Sequence, residues 1–389
     1  MSLRVLMVHE PAGGGSGRQV LDLSEGLIAR GHRVSLAYSG RRAETSYLKR
    51  AGAIDFEHLT VLDMHRELGP HDLGSAHALK RWMRRHGPFD VVHAHSSKAG
   101  ALARLVAPRG VARVYTPHAF RTMDPELGRA PALVYGQVEG LFGALLSDAV
   151  IAVGGEEAEH AGRLGIPKAK IHLVANGVEP FQCRMRQAVR EELGLGAEAI
   201  AVGFVGRLTA QKDPTRFCAA IQAAHALDSR VVGVMIGDGE LAGEVRSMAA
   251  PVLHLGGQDA RAYFAGFDML AMTSRYEGFP YVLLEALQAG LPIISSEVGG
   301  ASAVIESGRN GVLLDRDADP AAFAAAIVGL ADAAERARYA AASRAVAPNF
   351  AADVMVTKTE HVYRTAVARR RAGRGGAPQP LPVGIRPAA

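Results

Sequence analysis

Two glutamates, Glu277 and Glu285, stand eight residues apart where an apolar strand passes through a turn into a helix. The predicted strand, residues 268–272, leads into a Gly-Phe-Pro turn, and the proline favours the start of a helix because that position needs no N–H partner. Glu285 then falls in the second turn of the helix among leucines and alanines, where an unpaired carboxylate is costly. The hydroxyl pair of a sugar would suit it, since one ionised carboxylate accepts two hydrogen bonds.

The turn offers a second chemical feature. The amides of Gly278 and Phe279, just before Pro280, open a helix N-terminus, and unpaired N–H groups at such an end bind anions. Acids suited to sugar hydroxyls therefore stand beside a site suited to phosphate. This combination predicts a pocket for a nucleotide sugar.

Two cations follow another predicted strand, residues 200–205. Arg207 offers a planar fork of donors and Lys212 a point charge, and together they suit a diphosphate. Negative charge that grows on a departing nucleoside diphosphate would be stabilised by preorganised cations without a metal ion. Solvated surface positions are the alternative interpretation of an arginine and a lysine in a loop.

A glycine-rich stretch with Gly13, Gly14 and Gly15 follows the first predicted strand and precedes a helix expected to start near Arg18. Glycine lets the backbone approach a phosphate, and the helix N-terminus stabilises the phosphate charge. We therefore expect this loop to bind substrate. A purely structural turn is the alternative.

A dinucleotide-binding fold is a further interpretation of the same loop, and it would make the protein an NADP-dependent oxidoreductase. The third glycine of that motif is missing, and no acid follows the second strand to hold a ribose. Arg41 and Arg42 stand there and would suit a 2′-phosphate, so the alternative stays open.

His118 follows the strand predicted over residues 114–116. A histidine at a strand end can hydrogen-bond a sugar hydroxyl or stabilise charge as a glycosidic bond opens. The alternative is a loop histidine bonded to a neighbouring carbonyl group.

No metal site is predicted. His93 and His95 have the spacing His-x-His, but no third ligand follows at a recognisable distance. Asp315 and Asp317 form an Asp-x-Asp pair, yet an aspartate and a proline follow directly and indicate a helix start, so capping explains the pair better. We expect neither a metal nor another cofactor.

Apolar strands alternate with helical stretches along most of the chain, which is typical of parallel sheets with crossover helices. The pattern restarts near residue 200, so we predict an α/β protein with two Rossmann-like, doubly wound domains. Ligands of such sheets lie beyond the carboxyl ends of the strands, where all the motifs above stand. The turn-rich stretch 175–180 is the predicted seam, and a cleft should lie between the domains.

The 389 residues carry a net charge of +5 and a pI near 9.3, which favours anionic partners such as phosphates or an acidic membrane face. No nucleic-acid-binding signature accompanies the charge. Two cysteines indicate a reducing cytoplasm, and no apolar run is long enough to span a membrane. A basic helix around Trp82 would suit peripheral membrane contact, unless the tryptophan packs inward.

The motifs taken together resemble the retaining glycosyltransferases of family 4, whose signature is two glutamates separated by seven residues. The resemblance extends over about residues 1–368 and includes motifs ending at or near Gly15, His95, His118, Asn176, Arg207, Lys212 and Gly239. It implies the GT-B fold. Residues 1–177 would form an acceptor-side domain to which a C-terminal helix, about 351–370, returns. Residues 178–350 would bind the nucleotide sugar, with Glu277 on sugar hydroxyls and Glu285 on ribose hydroxyls, and the catalytic His118 would reach the donor sugar from the first domain. Residues 371–389 would be a disordered basic tail.

The resemblance also implies the activity. A sugar, most readily from a UDP-sugar, would pass with retention of configuration to a glycan, expected to be lipid-linked, in bacterial cell-surface polysaccharide synthesis. Such an enzyme would act in the cytoplasm or at the cytoplasmic face of the inner membrane. A UDP-sugar epimerase of the same fold is the alternative that the resemblance leaves open, beside the oxidoreductase.

Overall fold

The computed structural model describes residues 2–65, 69–124 and 127–372, and its strands form two separate sheets. The first sheet has seven parallel strands, which are β1 (Arg4–His9), β2 (Arg33–Ser39), β3 (His58–Leu62), β4 (Val91–His95), β5 (Ala112–Thr116), β6 (Ala149–Ala152) and β7 (Ile171–Leu173). Their spatial order is β3-β2-β1-β4-β5-β6-β7.

The second sheet has six parallel strands, which are β8 (Ile200–Val205), β9 (Val231–Ile236), β10 (Val252–Gly256), β11 (Met269–Met272), β12 (Ile293–Ser296) and β13 (Gly311–Leu314). Their order is β10-β9-β8-β11-β12-β13. In each sheet the chain starts near the middle, builds one edge and then crosses to the other. Both sheets are therefore doubly wound, as the sequence predicts.

Crossover helices connect the strands. Those of the first half are α1 (Gly14–Ala29), α2 (Thr45–Ala53), α3 (His71–His86), α4 (Ser97–Val106), α5 (Arg129–Leu146) and α6 (Gly155–Arg163). Those of the second half are α7 (Arg186–Glu192), α8 (Pro214–Leu227), α9 (Ala242–Ser247), α10 (Tyr281–Ala289), α11 (Ala301–Val304), α12 (Pro320–Gly329) and α13 (Ala333–Val346).

The central strands are apolar on both faces because helices cover both. In β1, Val5 to Val8 are fully buried, and β8 is buried over most of its length. Continuous apolar runs of this kind are typical of parallel strands between two helical layers. Polar residues collect instead at the strand ends, and these ends form the site.

The last helix, α14 (Ala352–Ala372), packs against α1 and β5 of the first half. A glycine makes the close contact with α1 possible, because a Cβ atom on Gly26 would lie 2.4 Å from a methyl group of Val356. Tyr363 reaches the sheet, where its hydroxyl lies 2.6 Å from Nδ1 of His93. The predicted tail, residues 371–389, lies outside the described residues from residue 373 onward.

Two element predictions were wrong. Helix α1 begins at Gly14 and not near Arg18, so two of the three loop glycines belong to its first turn. Strand β3 was missed because it is an edge strand with alternating exposed residues and therefore lacks a continuous apolar run.

Candidate active site

A cleft of about 980 Å³ lies between the carboxyl ends of the two sheets. Loops after β1, β4, β5 and β6 line it from one side, and loops after β8 and β11 line it from the other. The structure brings most of the predicted site residues together at this cleft, namely Gly14, Gly15, His118, Arg207, Lys212, Glu277, Gly278, Phe279 and Pro280.

The second-sheet wall of the cleft is organised around an ion pair. Nζ of Lys212 lies 2.5 Å from Oε1 of Glu277, and both side chains are largely buried. Gln211, next to the lysine, donates a hydrogen bond of 3.0 Å to the carbonyl oxygen of Tyr276, next to the glutamate. The two loops therefore hold each other, and Arg207 lines the same wall. This arrangement presents cations and a carboxylate to one ligand.

Close backbone contacts fix the turn that carries Glu277. A Cβ atom on Gly299 would lie 2.3 Å from the Glu277 carbonyl oxygen, so only glycine permits this approach. Asn176, in the predicted seam, donates from Nδ2 to the Phe279 carbonyl oxygen at 3.0 Å. Helix α10 begins one residue after Pro280, so the amides of Gly278 and Phe279 precede its first turn, as predicted.

His118 faces this turn from the first-sheet side. Its backbone and that of Ala119 have positive φ angles, 56° and 72°, which non-glycine residues rarely adopt. The Ala119 amide nitrogen lies 3.5 Å from the position that a Cβ atom on Gly278 would take. The two strand-end loops thus touch across the cleft, and they place His118 and Glu277 on the same cavity.

A buried group of histidines supports His118. Its Nε2 lies 3.1 Å from Nδ1 of His95, and the two rings stack. His95 in turn neighbours His9 and His93. Burial lowers the pKa of His118 from its ordinary value of 6.5 to about 3, so the ring is neutral near pH 7. A neutral imidazole can exchange hydrogen bonds with a sugar hydroxyl, but it cannot supply a positive charge.

Glu157, which the sequence reasoning missed, holds the His118 loop in place. One carboxylate oxygen accepts a hydrogen bond of 2.6 Å from the Ala119 amide, and the other accepts one of 2.7 Å from the Val153 amide. Desolvation raises the pKa of Glu157 from its ordinary value of 4.5 to about 7, although both amide bonds oppose the change. Its neighbour Glu156 is exposed, and nothing in the local sequence distinguishes the two glutamates.

Glu285 does not line the cleft. Its side chain is buried, and Oε1 accepts hydrogen bonds from Arg18 at 2.8 Å and from Arg261 at 3.0 Å. Arg18 belongs to α1 of the first half, so this contact joins the two halves. The sequence predicts that Glu285 needs a partner, and two arginines supply it here because a buried carboxylate without one would be costly.

Gly13 also lies outside the cavity lining. A Cβ atom there would lie 2.6 Å from the side chain of Glu44, so the glycine permits close packing. Gly14, with φ of 59°, and Gly15 do line the cavity. The substrate-binding prediction therefore keeps a structural basis for two of the three glycines.

Two ion pairs on the first-sheet wall of the cleft were not predicted from the sequence. Arg42, considered above for NADP, pairs with the buried carboxylate of Glu10. Arg104 donates to Glu139 at 2.8 Å, and the Tyr115 hydroxyl donates to the other oxygen of the same carboxylate at 2.8 Å. Partners so distant in sequence leave no local pattern that could have identified them.

Among the residues with described positions, no group of three or more His, Cys, Asp or Glu side chains is arranged to hold a metal ion. Asp315 accepts from the Asp317 amide at 2.8 Å, and Asp319 caps α12, which fits the capping interpretation of that pair. None of the helices in the described ranges is long and apolar enough to cross a bilayer. Trp82 packs inward, where its ring stacks with that of Phe89.

Two doubly wound parallel sheets that face each other across a cleft define the GT-B class of glycosyltransferases. Solved structures share this fold. Anabaena Alr3699/HepE in complex with UDP and glucose matches with a TM-score of 0.77 at 18% identity, over 93% of this chain and 100% of that chain. The lipopolysaccharide outer core galactosyltransferase WaaB, in its apo form, matches with a TM-score of 0.69 at 16% identity, over 94% and 99%.

Sequence comparison identifies the family. Residues 13–181 match the family described as Glycosyltransferase Family 4, and residues 199–333 match Glycosyl transferases group 1. The D-inositol 3-phosphate glycosyltransferase of Xylanimonas cellulosilytica is 30% identical over 92% of this chain and 93% of its own length. The UDP-Gal:alpha-D-GlcNAc-diphosphoundecaprenol alpha-1,3-galactosyltransferase of Escherichia coli is 30% identical over 63% and 67%.

The chain belongs to glycosyltransferase family 4, and it is a glycosyltransferase with the GT-B fold. The predicted family, fold and enzyme class are confirmed. Neither the oxidoreductase nor the epimerase interpretation agrees with these matches.

Proposed function

We propose that the protein transfers a sugar from a UDP-sugar to a lipid-linked glycan, with retention of anomeric configuration, in the synthesis of a bacterial cell-surface polysaccharide. The observation that carries the proposal is the Lys212–Glu277 pair opposite His118, with Arg207 on the same wall of the cleft. This set combines groups for a diphosphate with groups for sugar hydroxyls. A bound UDP-sugar would use both.

The proposed roles follow from charge and position. Arg207 and Lys212 bind the diphosphate and stabilise the negative charge that develops as the glycosidic bond breaks. Glu277 accepts hydrogen bonds from sugar hydroxyls on Oε2, while Lys212 contacts Oε1. His118, neutral near pH 7, exchanges a hydrogen bond with another hydroxyl of the same sugar. The residues around the second sheet thus act as the donor domain, and those around the first act as the acceptor domain.

The carboxylates of the cleft bear on the stereochemical course. Of the four carboxylates that line the cleft, Glu10, Glu139 and Glu277 each have a cationic partner and Glu44 is exposed, so none of them is a buried and unpaired nucleophile. Retention through a covalent glycosyl intermediate would require such a nucleophile. We therefore favour displacement on the same face of the sugar, in which the leaving diphosphate accepts the proton of the acceptor hydroxyl and no metal takes part.

The names of relatives and fold neighbours support the choice of substrates. One fold neighbour is complexed with UDP and glucose, and one relative acts on an acceptor attached to diphosphoundecaprenol. Other relatives are named for D-inositol 3-phosphate. The lipid-linked acceptor is preferred because exposed apolar side chains of α5, among them Val134 and Val138, border the acceptor side of the cleft. Contact with the cytoplasmic face of the membrane follows from this choice.

A donor panel tests the first half of the proposal. Thermal unfolding is measured with UDP-, GDP- and ADP-sugars, and the true donor at 100 times its Kd should stabilise the protein by about 2.7 kcal/mol. We expect stabilisation by a UDP-sugar and its loss in Lys212→Met. The matched control Lys168→Met, which removes an exposed lysine, should keep it. Stabilisation by GDP- or ADP-sugars alone would show that the assignment of UDP is wrong.

Product analysis tests the second half. The protein is incubated with the identified donor and either N-acetylglucosaminyl diphosphoundecaprenol or D-inositol 3-phosphate, and the new linkage is assigned by NMR. We expect transfer to the lipid-linked acceptor with the anomeric configuration of the donor. Transfer only to the inositol phosphate would replace the proposed acceptor, and an inverted linkage would refute the proposed mechanism.

A further inference from the structure

Helix α5 carries an unusual concentration of exposed apolar side chains. Val134, Val138, Leu141 and Leu145 are 57%, 39%, 56% and 69% exposed, and Leu133 beside them is 64% exposed. The spacing of the first four residues, four then three then four, places them on one face of a helix. We call these four residues the α5 stripe. At 1.5 Å per residue it is about 17 Å long.

Nothing in the catalytic site accounts for the outer half of this stripe. Val134 and Val138 line the cleft, whereas Leu141 and Leu145 do not. Scattered single apolar residues are common on protein surfaces, but a continuous row is typical of a binding surface. The row runs from the acceptor side of the cleft to the end of the helix, so its partner must reach the mouth of the cleft.

The charges around the stripe select the kind of partner. Between Arg129 and Leu146 the only acid of α5 is Glu139, and it is buried against Arg104. Helix α4 packs on α5, and α3 packs on α4. The C-terminal half of α3 exposes four basic side chains, Lys80, Arg81, Arg84 and Arg85. An apolar row accompanied by basic side chains suits the surface of an anionic bilayer.

We propose that the α5 stripe docks on an anionic lipid bilayer and inserts its leucines among the lipid chains, so that the mouth of the cleft faces the membrane. The inference rests on the proposed function only for its purpose, which is access to a lipid-linked acceptor. It differs from the alternative that the sequence left open, in which the helix of Trp82 makes the membrane contact. Trp82 is partly buried and stacks with Phe89, and we expect α3 to contribute its basic side chains.

Vesicle sedimentation tests the proposal. The full-length protein is mixed with vesicles of phosphatidylethanolamine and phosphatidylglycerol, and L141N/L145N is compared with wild type. Burial of two leucines dominates such an interaction, so the variant should partition at least about tenfold more weakly. The matched control L173N/L227N replaces two leucines of similar exposure outside α5, and its partitioning should equal that of wild type.

The remaining outcomes are decisive as well. Equal binding of wild type and L141N/L145N to the vesicles would overturn the proposal. Failure of the wild type to sediment with the vesicles would overturn it as well. A wild-type dimer that L141N/L145N converts to a monomer would show that a second copy covers the stripe. Because Leu141 and Leu145 lie outside the cleft, transfer to an acceptor with its lipid removed should be unchanged in the variant. Absence of that transfer in wild type would count against the proposed function and not against the docking surface.

Discussion

Replacement of Glu157 by glutamine should make the protein more stable near pH 8 and less active at the same time. The wild-type carboxyl group is buried, and its pKa is raised to about 7. Between pH 4.5 and 7 the folded protein therefore binds a proton more tightly than the unfolded chain does. The stabilisation that results is fully present below pH 4.5 and is lost as the pH rises through 7.

The size of the effect follows from the same values. The interval from 4.5 to about 7, at about 1.4 kcal/mol for each unit of pH, corresponds to about 3 kcal/mol. At pH 4.5 both side chains are neutral, so wild type and Glu157→Gln should differ by less than about 1 kcal/mol. By pH 8 the variant should be more stable by about 3 kcal/mol, because only the wild type buries a charge.

Urea unfolding at several pH values measures this difference. Trp82 is the only tryptophan and lies in the same half as Glu157, so its fluorescence follows the unfolding of that half. The lowered pKa values of the buried histidines affect both proteins equally and cancel in the comparison. Glu156→Gln, which removes an exposed charge from the same helix turn, is the matched control and should show no such slope. A stability difference that does not change with pH would refute the reasoning.

The loss of activity has a separate cause. Glutamine offers one acceptor oxygen, so either the Ala119 or the Val153 amide loses its partner. The loop that carries His118 should then be less well held, and we expect kcat to fall by about fivefold, which corresponds to about 1 kcal/mol. If Glu157 acts only through His118, the substitution should have no further effect on kcat in a His118→Ala background. An equal fall in both backgrounds would exclude the positioning role.

Three further predictions concern the cleft itself. Lys212→Met should lower kcat by about 10²–10³-fold, as expected for loss of a preorganised donor to the leaving group, and Lys168→Met should leave kcat unchanged. His118→Asn should lower kcat but keep the shape of the pH–rate profile between pH 5 and 8, because the pKa of His118 is about 3. A change of rate with pH in this range that wild type shows and the variant lacks would contradict the prediction. Glu285→Gln should raise the donor Kd by about tenfold, because the substitution weakens charge-assisted hydrogen bonds to the donor. Calorimetric titration measures this Kd, and an unchanged value would show that Glu285 does not bind the donor.

The sequence predicts the fold more completely than the site. Buried parallel strands such as β1 and β8 are continuous apolar runs, and local pattern is enough to find them. The position of Lys212 and Glu277 at the cleft could be predicted because each follows the carboxyl end of a strand, where the topology collects ligand-binding groups. Glu157 and the Arg104–Glu139 pair were missed because their roles depend on burial and on partners from distant elements. An exposed and a buried glutamate, such as Glu156 and Glu157, look alike in a sequence.

The pairing of Glu285 shows why a site residue need not face an open cavity before the substrate binds. A buried carboxylate must have partners in every state of the protein, because its desolvation is otherwise uncompensated. Arg18 and Arg261 supply them in the structure, and Arg18 does so from the opposite half. A ribose that bound Glu285 would replace at least one of these contacts. The stability of the donor complex therefore reflects a difference between two sets of hydrogen bonds. The same reasoning applies to Glu277, whose ion pair with Lys212 would be weakened when the lysine binds the diphosphate and the glutamate binds the sugar.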